Sequence, residues 1–384
     1  MTAMKNNVVL RNPESFPESR LPAGVQPLTR PRPLGRAVEL AFLRWEKRRL
    51  EATEKFWRDF GMHIVEATPE RLAARGAGPA PCIAVAARAA ADRFVGPAFA
   101  MSADTDLERY VKELGARRLE PHAIAGGGQG VEVLDPSGRS VWLLQGQRPL
   151  ERLPVREALT ASANSAARTV RVNRTVRTPI EPAQVVRLGH LVLQTVQFAR
   201  MAEWYLRVLG LIPTDVQYLA DGSPNLAFCR LDLRDQPADH HTLVLVGAID
   251  EKYEHSAYEV VDLDAIGQGQ QVLRAQGYRH VWGIGRHVLG SQLFDYWADP
   301  DGFEYEHYTD GDVFTAGHET EYSPLTFGSL WAWGHDAPAS IKPKKDLRTV
   351  LRILGLLRRR QITLDRLKLI SQALDAPARP WSRG

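Results

Sequence analysis

The sequence predicts an α+β protein that contains two copies of one module, each about 120 residues long. The order strand, helix and glycine turn occurs twice before residue 129 and twice again after residue 186. Each copy then ends in a hairpin, LDPSGRSVWLL at 134–144 and ADPDGFEYEHY at 298–308. The distance from the second strand to the hairpin is similar in the two copies: 36 residues separate Phe99 from Asp135, and 41 separate Tyr258 from Asp299.

The first copy begins near Ala37 with a strand, an amphipathic helix and a glycine turn, in RAVELAFLRWEKRRLEATEKFWRDFGMHIV. A second strand and helix follow in VGPAFAMSADTDLERYVKELGARRLEP. Here we expect Ser102 or Asp104 to cap a helix that runs to Leu114 and ends at Gly115. The hairpin QGVEVLDPSGRSVWLLQG completes the copy around a type I turn.

The second copy repeats this order after a segment rich in Arg, Thr and Ala. RLGHLVLQTVQFARMAEWYLRVLGLIPTD predicts a strand, a helix and a turn at Gly210, and YEHSAYEVVDLDAIGQGQQVLRAQGYRH predicts the same with Gly277. We therefore expect five regions. They are an extended N-terminal arm (1–35), a first module (36–150), a linker (151–186), a second module (187–336) and a basic helical tail (337–384).

The tail holds most of the positive charge. Between Lys342 and Gly384 there are twelve Lys and Arg against three Asp, so this segment carries +9 while the whole chain carries +4. Its apolar residues recur at helical spacing: Leu347, Val350, Leu351, Leu354 and Leu357. We expect a helix that uses this stripe to cover a subunit or domain surface, with a membrane-surface or partner-docking role as the alternative.

Composition and charge exclude several classes of protein. The 384 residues are 44% hydrophobic and 24% charged, and no apolar run is long enough to cross a membrane. The first residues lack the apolar core of a signal peptide, and Cys82 and Cys229 are the only cysteines. We therefore expect a cytoplasmic protein without disulfides or membrane partners. Because the positive charge is confined to the tail, we expect no nucleic-acid partner.

Candidate metal ligands are concentrated in the second module, where nine of the eleven histidines lie between residues 190 and 335. His190 falls in the opening strand, His255 in the strand EHSAY and Glu306 in the last hairpin strand. If the strands curl into a half-open barrel, the three side chains converge inside it. Two imidazoles and one carboxylate form the facial triad of non-haem Fe(II) oxygenases, which leaves positions open for substrate and dioxygen. The first copy lacks this set, because Gly96 aligns with His255 and Trp142 with Glu306.

This arrangement resembles the type I extradiol, or meta-cleaving, catechol dioxygenases of the vicinal oxygen chelate superfamily. The likeness covers about residues 37–336 and is strongest over 186–310. It depends on a closing signature, GRHVLGSQLFDYWADPDGFEYE, which keeps Gly285, His287, Tyr296, Asp299, Pro300, Gly302 and Glu306. One departure is Asp295, where the family usually has an apolar residue. The resemblance implies two tandem βαβββ-type modules, a non-catalytic first one and a catalytic C-terminal one that forms a metal-bearing half-open barrel.

The resemblance also implies roles for individual residues. His190, His255 and Glu306 would bind Fe(II), with Mn(II) as the alternative metal. His287 and Tyr296 would donate hydrogen bonds to a substrate hydroxyl and to the developing oxygen intermediate.

The family's acid–base histidine lies on a strand about fourteen residues before the second ligand, where DHHTLVLVG offers two candidates. His241 is fourteen residues before His255 and is preferred. His240 is one residue off and, by strand alternation, should face the other way. A neutral imidazole at this position could take the substrate proton and return it later in the reaction.

We therefore expect an enzyme of aromatic catabolism that cleaves the ring of a catechol-type substrate with O2 to a hydroxymuconic-semialdehyde-type product. Its partners would be a small aromatic diol and O2, and it would form a homo-oligomer. Val192 and Trp282 are apolar and lie close in sequence to His190 and His287, which favours a neutral or aryl-substituted catechol or a hydroquinone. Two alternatives remain: a 4-hydroxyphenylpyruvate-dioxygenase-like oxygenase, and a metal-free ligand-sequestering binding protein of the same superfamily.

Overall fold

Two large β-sheets follow one another along the chain in the computed structural model, which describes residues 21–28, 30–338, 341–343 and 346–375. The first, eight-stranded sheet contains β1 (Ala37–Lys47), β2 (His63–Ala67), β3 (Arg71–Arg75), β4 (Ala84–Arg88), β5 (Arg93–Met101), β6 (Arg117–Arg118), β7 (Gln129–Leu134) and β8 (Ser140–Gln145). The later strands are β9 (Val185–Thr195), β10 (Ile212–Tyr218), β11 (Pro224–Arg230), β12 (Ala238–Asp239), β13 (Leu243–Gly247), β14 (Lys252–Val260), β15 (Arg279–His287), β16 (Leu293–Ala298), β17 (Glu304–Thr309), β18 (Val313–Phe314), β19 (Glu321–Pro324) and β20 (Trp331–Gly334).

The helices are α1 (Leu50–Asp59), α2 (Leu107–Leu114), α3 (Phe198–Leu209), α4 (Leu263–Ala275), α5 (Leu347–Arg358) and α6 (Leu364–Asp375). Within the described part of the chain, no helix is both long enough and apolar enough to cross a membrane. Strands β12 and β18 pair separately from the two large sheets.

The two sheets have the same topology. The first has the order β2-β3-β4-β1-β5-β8-β7-β6, and the second contains the equivalent run β10-β11-β13-β9-β14-β17-β16-β15, with β19 and β20 added at its edges. The parallel pairs also correspond, because β1 is parallel to β4 as β9 is to β13, and β5 is parallel to β8 as β14 is to β17. The predicted α+β fold with a duplicated module is therefore confirmed.

Helix ends follow the predicted chemistry with one exception. Gly115 adopts the left-handed conformation that ends α2, with φ of 65°. The predicted caps for this helix, Ser102 and Asp104, are wrong, because Asp106 accepts the hydrogen bond from Glu108 N–H at 2.9 Å. The Ser102 hydroxyl is instead 2.9 Å from that of Thr105, so the chain completes a turn before the helix begins.

The tail forms two helices, and most of the predicted stripe is exposed. Leu347, Leu351 and Leu354 are 72%, 59% and 55% exposed. The buried contact comes from Leu356, which clusters with Ile249 and with residues of the loop and helix that follow. Of the predicted stripe, Leu357 packs against this cluster, so α5 covers part of the second module through one edge of the stripe, and its role on a subunit surface stays a prediction.

One hydrophobic core continues across both modules. The Trp45 ring of β1 stacks on the Tyr305 ring of β17 with centroids 5.8 Å apart. Trp57 Nε1–H donates to the Tyr305 hydroxyl at 3.2 Å. Lys47, fully buried at the end of β1, reaches the second hairpin turn, where its Nζ is 2.5 Å from Asp299 Oδ2. These contacts hold the second module against the first.

The described part of the N-terminal arm lies on the second module. Arg30 Nη2 donates to Gly210 O at 2.9 Å, and Leu34 N–H donates to Arg207 O at 2.8 Å. Residues 21–28 and 30–36 form no helix or strand. The rest of the predicted arm, residues 1–20 and 29, lies outside the described residues.

Candidate metal centre

Three neighbouring strands of the second sheet carry the predicted metal ligands. His190 lies on β9, His255 on β14 and Glu306 on β17, with β14 between the other two. Ala257, two residues after His255 on β14, is paired with His190 on one side and with Glu306 on the other. Because Ala257 has only a methyl group, the longer side chains around it can meet. One ligand atom of each residue lies within 4.8 Å of the others.

The Glu306 carboxylate joins this group. Its Oε2 is 3.1 Å from His190 Nε2 and 3.3 Å from His255 Nε2. The side chain is fully buried, yet neither oxygen accepts a well-aligned hydrogen bond from the described residues. Such a carboxylate is costly unless a cation neutralises it. Adjacent ligand atoms of an ion bound at about 2.1 Å lie about 3 Å apart, so the cluster fits a divalent metal.

Burial governs the ionisation of these groups. It lowers the pKa of His190, which keeps the imidazole neutral and its lone pair available to a metal. Burial opposes ionisation of Glu306, but the imidazoles of His190, His255 and His287 outweigh it and hold the pKa of the carboxyl well below its usual range. The cluster therefore offers a carboxylate anion beside a neutral imidazole.

His287 and Tyr296 lie beside the carboxylate on β15 and β16. His287 Nδ1 is 2.8 Å from Leu330 O, and because a carbonyl oxygen only accepts, Nδ1 carries the hydrogen. His287 Nε2 is then 3.0 Å from the Tyr296 hydroxyl and 3.5 Å from Glu306 Oε1. Burial, reinforced by Glu306, raises the pKa of Tyr296 well above its usual value, so the phenol remains a donor. Both residues thus lie next to the predicted ligands.

The two candidate acid–base histidines lie in the turn between β12 and β13 and not on a strand. The prediction that their side chains face opposite ways is wrong, because His240 Nδ1 and His241 Nδ1 are 2.8 Å apart. Strand alternation does not govern residues in a turn. The ring centroid of His241 is 4.2 Å from that of His190. Burial, followed by the charges of His190 and His240, lowers the pKa of His241 well below its usual value.

Two residues near the site were not predicted from the sequence. Asp215 Oδ2 is 2.7 Å from His240 Nε2, although the two residues are 25 positions apart and share no motif. The Tyr308 ring centroid is 5.5 Å from that of His190. Strand alternation could have identified Tyr308, because it lies two residues after Glu306 on β17. No local signal could have identified Asp215.

An apolar surface continues from the ligands along the same face of the sheet. Val192 follows His190 by two residues and pairs with Val244, which pairs with Phe228. Val192, Val244 and Leu226 form a buried cluster against which Phe228, Val246 and Leu325 pack. The Trp282 ring stacks on Tyr296 with centroids 5.5 Å apart. Hydrophobic side chains therefore lie beside the candidate ligands.

Asp295, the departure from the signature, faces away from the ligands. It pairs with His307 on β17, whereas its neighbour Tyr296 pairs with Glu306. Its carboxylate is fully buried, 2.8 Å from His280 Nε2 and 2.6 Å from Trp297 Nε1. Burial raises the pKa of Asp295, and these two side chains replace the apolar packing of the family's usual residue.

The equivalent place in the first module is filled by side chains that cannot bind a metal. Ala98 pairs with Phe42 and with Trp142, as Ala257 pairs with His190 and with Glu306. The guanidinium of Arg44 lies 4.0 Å from the centroid of the Trp142 ring and occupies the adjacent space. The register therefore agrees with the alignment of Trp142 on Glu306.

Comparisons with known proteins agree with this geometry. Residues 187–306 match the glyoxalase/bleomycin resistance protein/dioxygenase superfamily. Metapyrocatechase 2 of Cupriavidus necator is 32% identical over 214 residues, which are 54% of this chain and 62% of that protein. The match therefore spans less than two thirds of the relative's length.

Solved structures share the fold at lower identity. The Mn(II)-bound glyoxalase from Novosphingobium aromaticivorans superposes with a TM-score of 0.66 at 20% identity, over 81% of this chain and 96% of that chain. A variant of homoprotocatechuate 2,3-dioxygenase from Brevibacterium fuscum gives 0.66 at 21% identity, over 84% and 87%. The native enzyme from Arthrobacter globiformis gives 0.61 at 22% identity, over 77% and 86%. The chain therefore has the fold of the homoprotocatechuate 2,3-dioxygenases, and its residues 187–306 are similar to the glyoxalase/bleomycin resistance protein/dioxygenase superfamily.

Proposed function

We propose that this protein is an Fe(II)-dependent extradiol dioxygenase that opens the ring of a catechol-type diol. Both atoms of O2 would enter the product, a hydroxymuconic-semialdehyde-type compound. One observation carries the proposal: His190, His255 and Glu306 converge from three adjacent strands, with the buried carboxylate lacking a well-aligned donor. The sequence similarity to metapyrocatechase 2 supports the same reaction class.

Different side chains would bind the metal, transfer the proton, orient the oxygens and exclude water. His190, His255 and Glu306 would hold a ferrous ion, which would supply binding positions for the diol and O2 and electron transfer between them. His241, next to His190, would accept a hydroxyl proton from the diol and return it as the ring opens. Tyr296 would donate a hydrogen bond to a reacting oxygen, and His287, with its hydrogen on Nδ1, would accept at Nε2 from a hydroxyl beside Glu306. The apolar surface around Val192 and Phe228 would exclude water from the ring.

The substrate class follows from the same surface. Val192, Val244 and Leu226 are buried side chains that offer no hydrogen bond to a charged substituent. We therefore propose a neutral, alkyl- or aryl-substituted catechol or a hydroquinone in preference to an acid-bearing one.

The test combines metal analysis with oxygen uptake. The full-length protein, reconstituted in parallel with Fe(II) and Mn(II), is assayed with catechols, hydroquinones and 4-hydroxyphenylpyruvate. We expect about one metal ion per chain and oxygen uptake with a yellow ring-opened product. Glu306→Gln should lower metal affinity at least about 10-fold and abolish uptake, because it removes the anionic ligand.

Glu304→Gln is the matched control, since Glu304 lies on the same strand two residues from Glu306 but outside the ligand group. It should keep its metal and its oxygen uptake. A wild-type protein that holds iron but consumes no oxygen with any diol would refute the proposed reaction. A wild-type protein that binds no metal and yet binds aromatic ligands would instead indicate a sequestering protein.

A further inference from the structure

His241 is the first of three hydrogen-bonded, buried side chains that extend away from the candidate ligands. His241 Nδ1 is 2.8 Å from His240 Nδ1, and His240 Nε2 is 2.7 Å from Asp215 Oδ2. The three residues are 4%, 2% and 8% exposed. Neither His240 nor Asp215 belongs to the three-residue metal cluster, so metal binding does not explain this hydrogen-bonded series.

The backbone of His240 is fixed from two sides. Its N–H donates to Asp312 O at 2.8 Å, and its carbonyl accepts from the Thr214 hydroxyl at 2.6 Å. Thr214 adjoins Asp215 on β10, so one strand holds both the main chain and the ring of His240. The position of His240 is therefore held by β10 and by the backbone at Asp312.

With both imidazoles neutral, the hydrogen bonds that join Asp215, His240 and His241 have one consistent direction. A carboxylate only accepts, so His240 Nε2 carries a hydrogen and donates it to Asp215. In a neutral imidazole the other nitrogen is then an acceptor, so His240 Nδ1 accepts from His241 Nδ1–H. The remaining nitrogen, His241 Nε2, is left with a free lone pair and has no hydrogen-bond partner among the described residues.

We infer that Asp215 and His240 are positioning residues, which hold His241 in the tautomer that presents a bare Nε2 to the substrate. This inference depends on the proposed function for the role of His241. A carboxylate that fixes a histidine tautomer is a known device in serine proteases, where removing it lowers kcat about 10⁴-fold. In this protein the carboxylate acts on the base indirectly, because the imidazole of His240 lies between Asp215 and His241.

The first measurement needs no activity. Selective ¹⁵N-histidine labelling of the full-length protein without added metal allows the protonated nitrogen of each ring to be identified by NMR. We expect His241 to carry its hydrogen on Nδ1 in the wild-type protein. A wild-type spectrum with the hydrogen on Nε2 of His241 would overturn the inference without reference to catalysis.

The second measurement uses variants. His240→Phe removes the acceptor, and Asp215→Leu leaves His240 in place but removes the group that orients it. In both, we expect His241 to populate both tautomers and kcat to fall about 10²-fold, with KM and iron content little changed. Full kcat together with a wild-type His241 signal in either folded variant would overturn the inference.

His280→Phe is the matched control because it disrupts another imidazole–carboxylate pair, the half-buried His280 with the buried Asp295, on the far side of β16. It should leave both the His241 tautomer and kcat near their wild-type values. If the wild-type protein consumes no oxygen, the proposed reaction fails, while the tautomer spectrum still decides the arrangement of Asp215, His240 and His241.

Discussion

Gly189 is required by the packing beside His190, the first candidate ligand. A Cβ added at this position would lie 2.1 Å from the Tyr308 hydroxyl and 2.4 Å from Tyr308 Cε1. Tyr308 is 1% exposed and its hydroxyl donates to Asp239 Oδ2 at 3.4 Å, so it has little room to move. The glycine before His190 is therefore explained by close approach and not by an unusual backbone conformation.

Gly189→Ala should lower the free energy of unfolding by about 1–3 kcal/mol, because Tyr308 must shift against a packed core. Urea denaturation at neutral pH measures this loss. In a Tyr308→Ala background the clash is absent, and the same substitution should cost less than about 1 kcal/mol. Equal losses in the two backgrounds would show that Tyr308 is not the obstacle.

Local sequence patterns predict the positions of some site residues but not of others. The convergence of His190, His255 and Glu306 could be predicted because strand alternation and the closing signature are local properties. The orientation of His240 and His241 could not, because both lie in a turn whose conformation is set by distant strands.

At the scale of the elements, Asp262 fastens the linker to the second module. It caps α4 by accepting from Ala265 N–H at 2.9 Å. The same carboxylate accepts from Leu159 N–H at 2.7 Å and from Arg156 Nη1 at 2.8 Å, both from the linker. One side chain therefore stabilises a helix terminus and anchors the linker, which contains one short 3₁₀ helix (Leu159–Ser162) before β9 begins at Val185.

Asp262→Ala should lower the free energy of unfolding by about 2–4 kcal/mol at pH 7, through loss of the cap and of charged hydrogen bonds. Burial opposes ionisation of Asp262, but Arg156 and the backbone N–H groups outweigh it and lower its pKa. The contribution is then complete above the unfolded-state pKa of about 3.9 and disappears as pH falls through the lower folded-state value.

Urea denaturation of the wild type and of Asp262→Ala should give a constant difference between pH 7 and pH 5 that shrinks only in stronger acid. Asp264→Ala, an exposed first-turn neighbour, serves as the control and should change stability by less than about 1 kcal/mol. A difference that already declines between pH 7 and pH 5 would contradict the lowered pKa.

The C-terminal helices are held by a small cluster, which makes their docking easy to test. Leu356 is 5% exposed and packs near Ile249 and Ile362, whereas Leu351 on the same helix is 59% exposed. Leu356→Ala should weaken docking by about 2–4 kcal/mol and speed proteolysis within the tail. Leu351→Ala should change neither the docking nor the rate of proteolysis. Equal protection of the tail in both variants would show that this cluster does not hold it.

At the scale of the whole molecule, each hairpin turn contacts the other module. Asp299 of the second turn accepts from Lys47 of the first module at 2.5 Å, and Asp301 is 3.1 Å from the same nitrogen. In the first turn, Asp135 accepts from the Tyr205 hydroxyl of the second module at 3.1 Å. The shared aspartate of the two hairpins therefore has a structural role that is independent of the metal ligands.

Lys47→Met should destabilise the protein by about 3–5 kcal/mol, because it leaves the buried Asp299 without its cation, while Asp301 keeps its ion pair with Arg49. Chemical denaturation with one cooperative transition would give the value. Arg48→Met, which removes a mostly exposed ion pair with Asp92, is the control and should cost no more than about 1 kcal/mol. A loss below 1 kcal/mol for Lys47→Met would show that the modules do not depend on this contact.

By itself, the sequence determined the duplicated α+β order, the helix and hairpin positions and the types of the candidate ligands. These features follow from periodicity, from glycine and proline turns and from spacing, all of which act over a few residues.

Only the tertiary structure decided which distant groups meet. Lys47 and Asp299 are 252 residues apart and Asp215 and His240 are 25 apart, and each pair is joined by the order and twist of strands between them. The buried face of α5 was decided in the same way, because an amphipathic pattern fixes which faces are apolar but not which of them finds a partner.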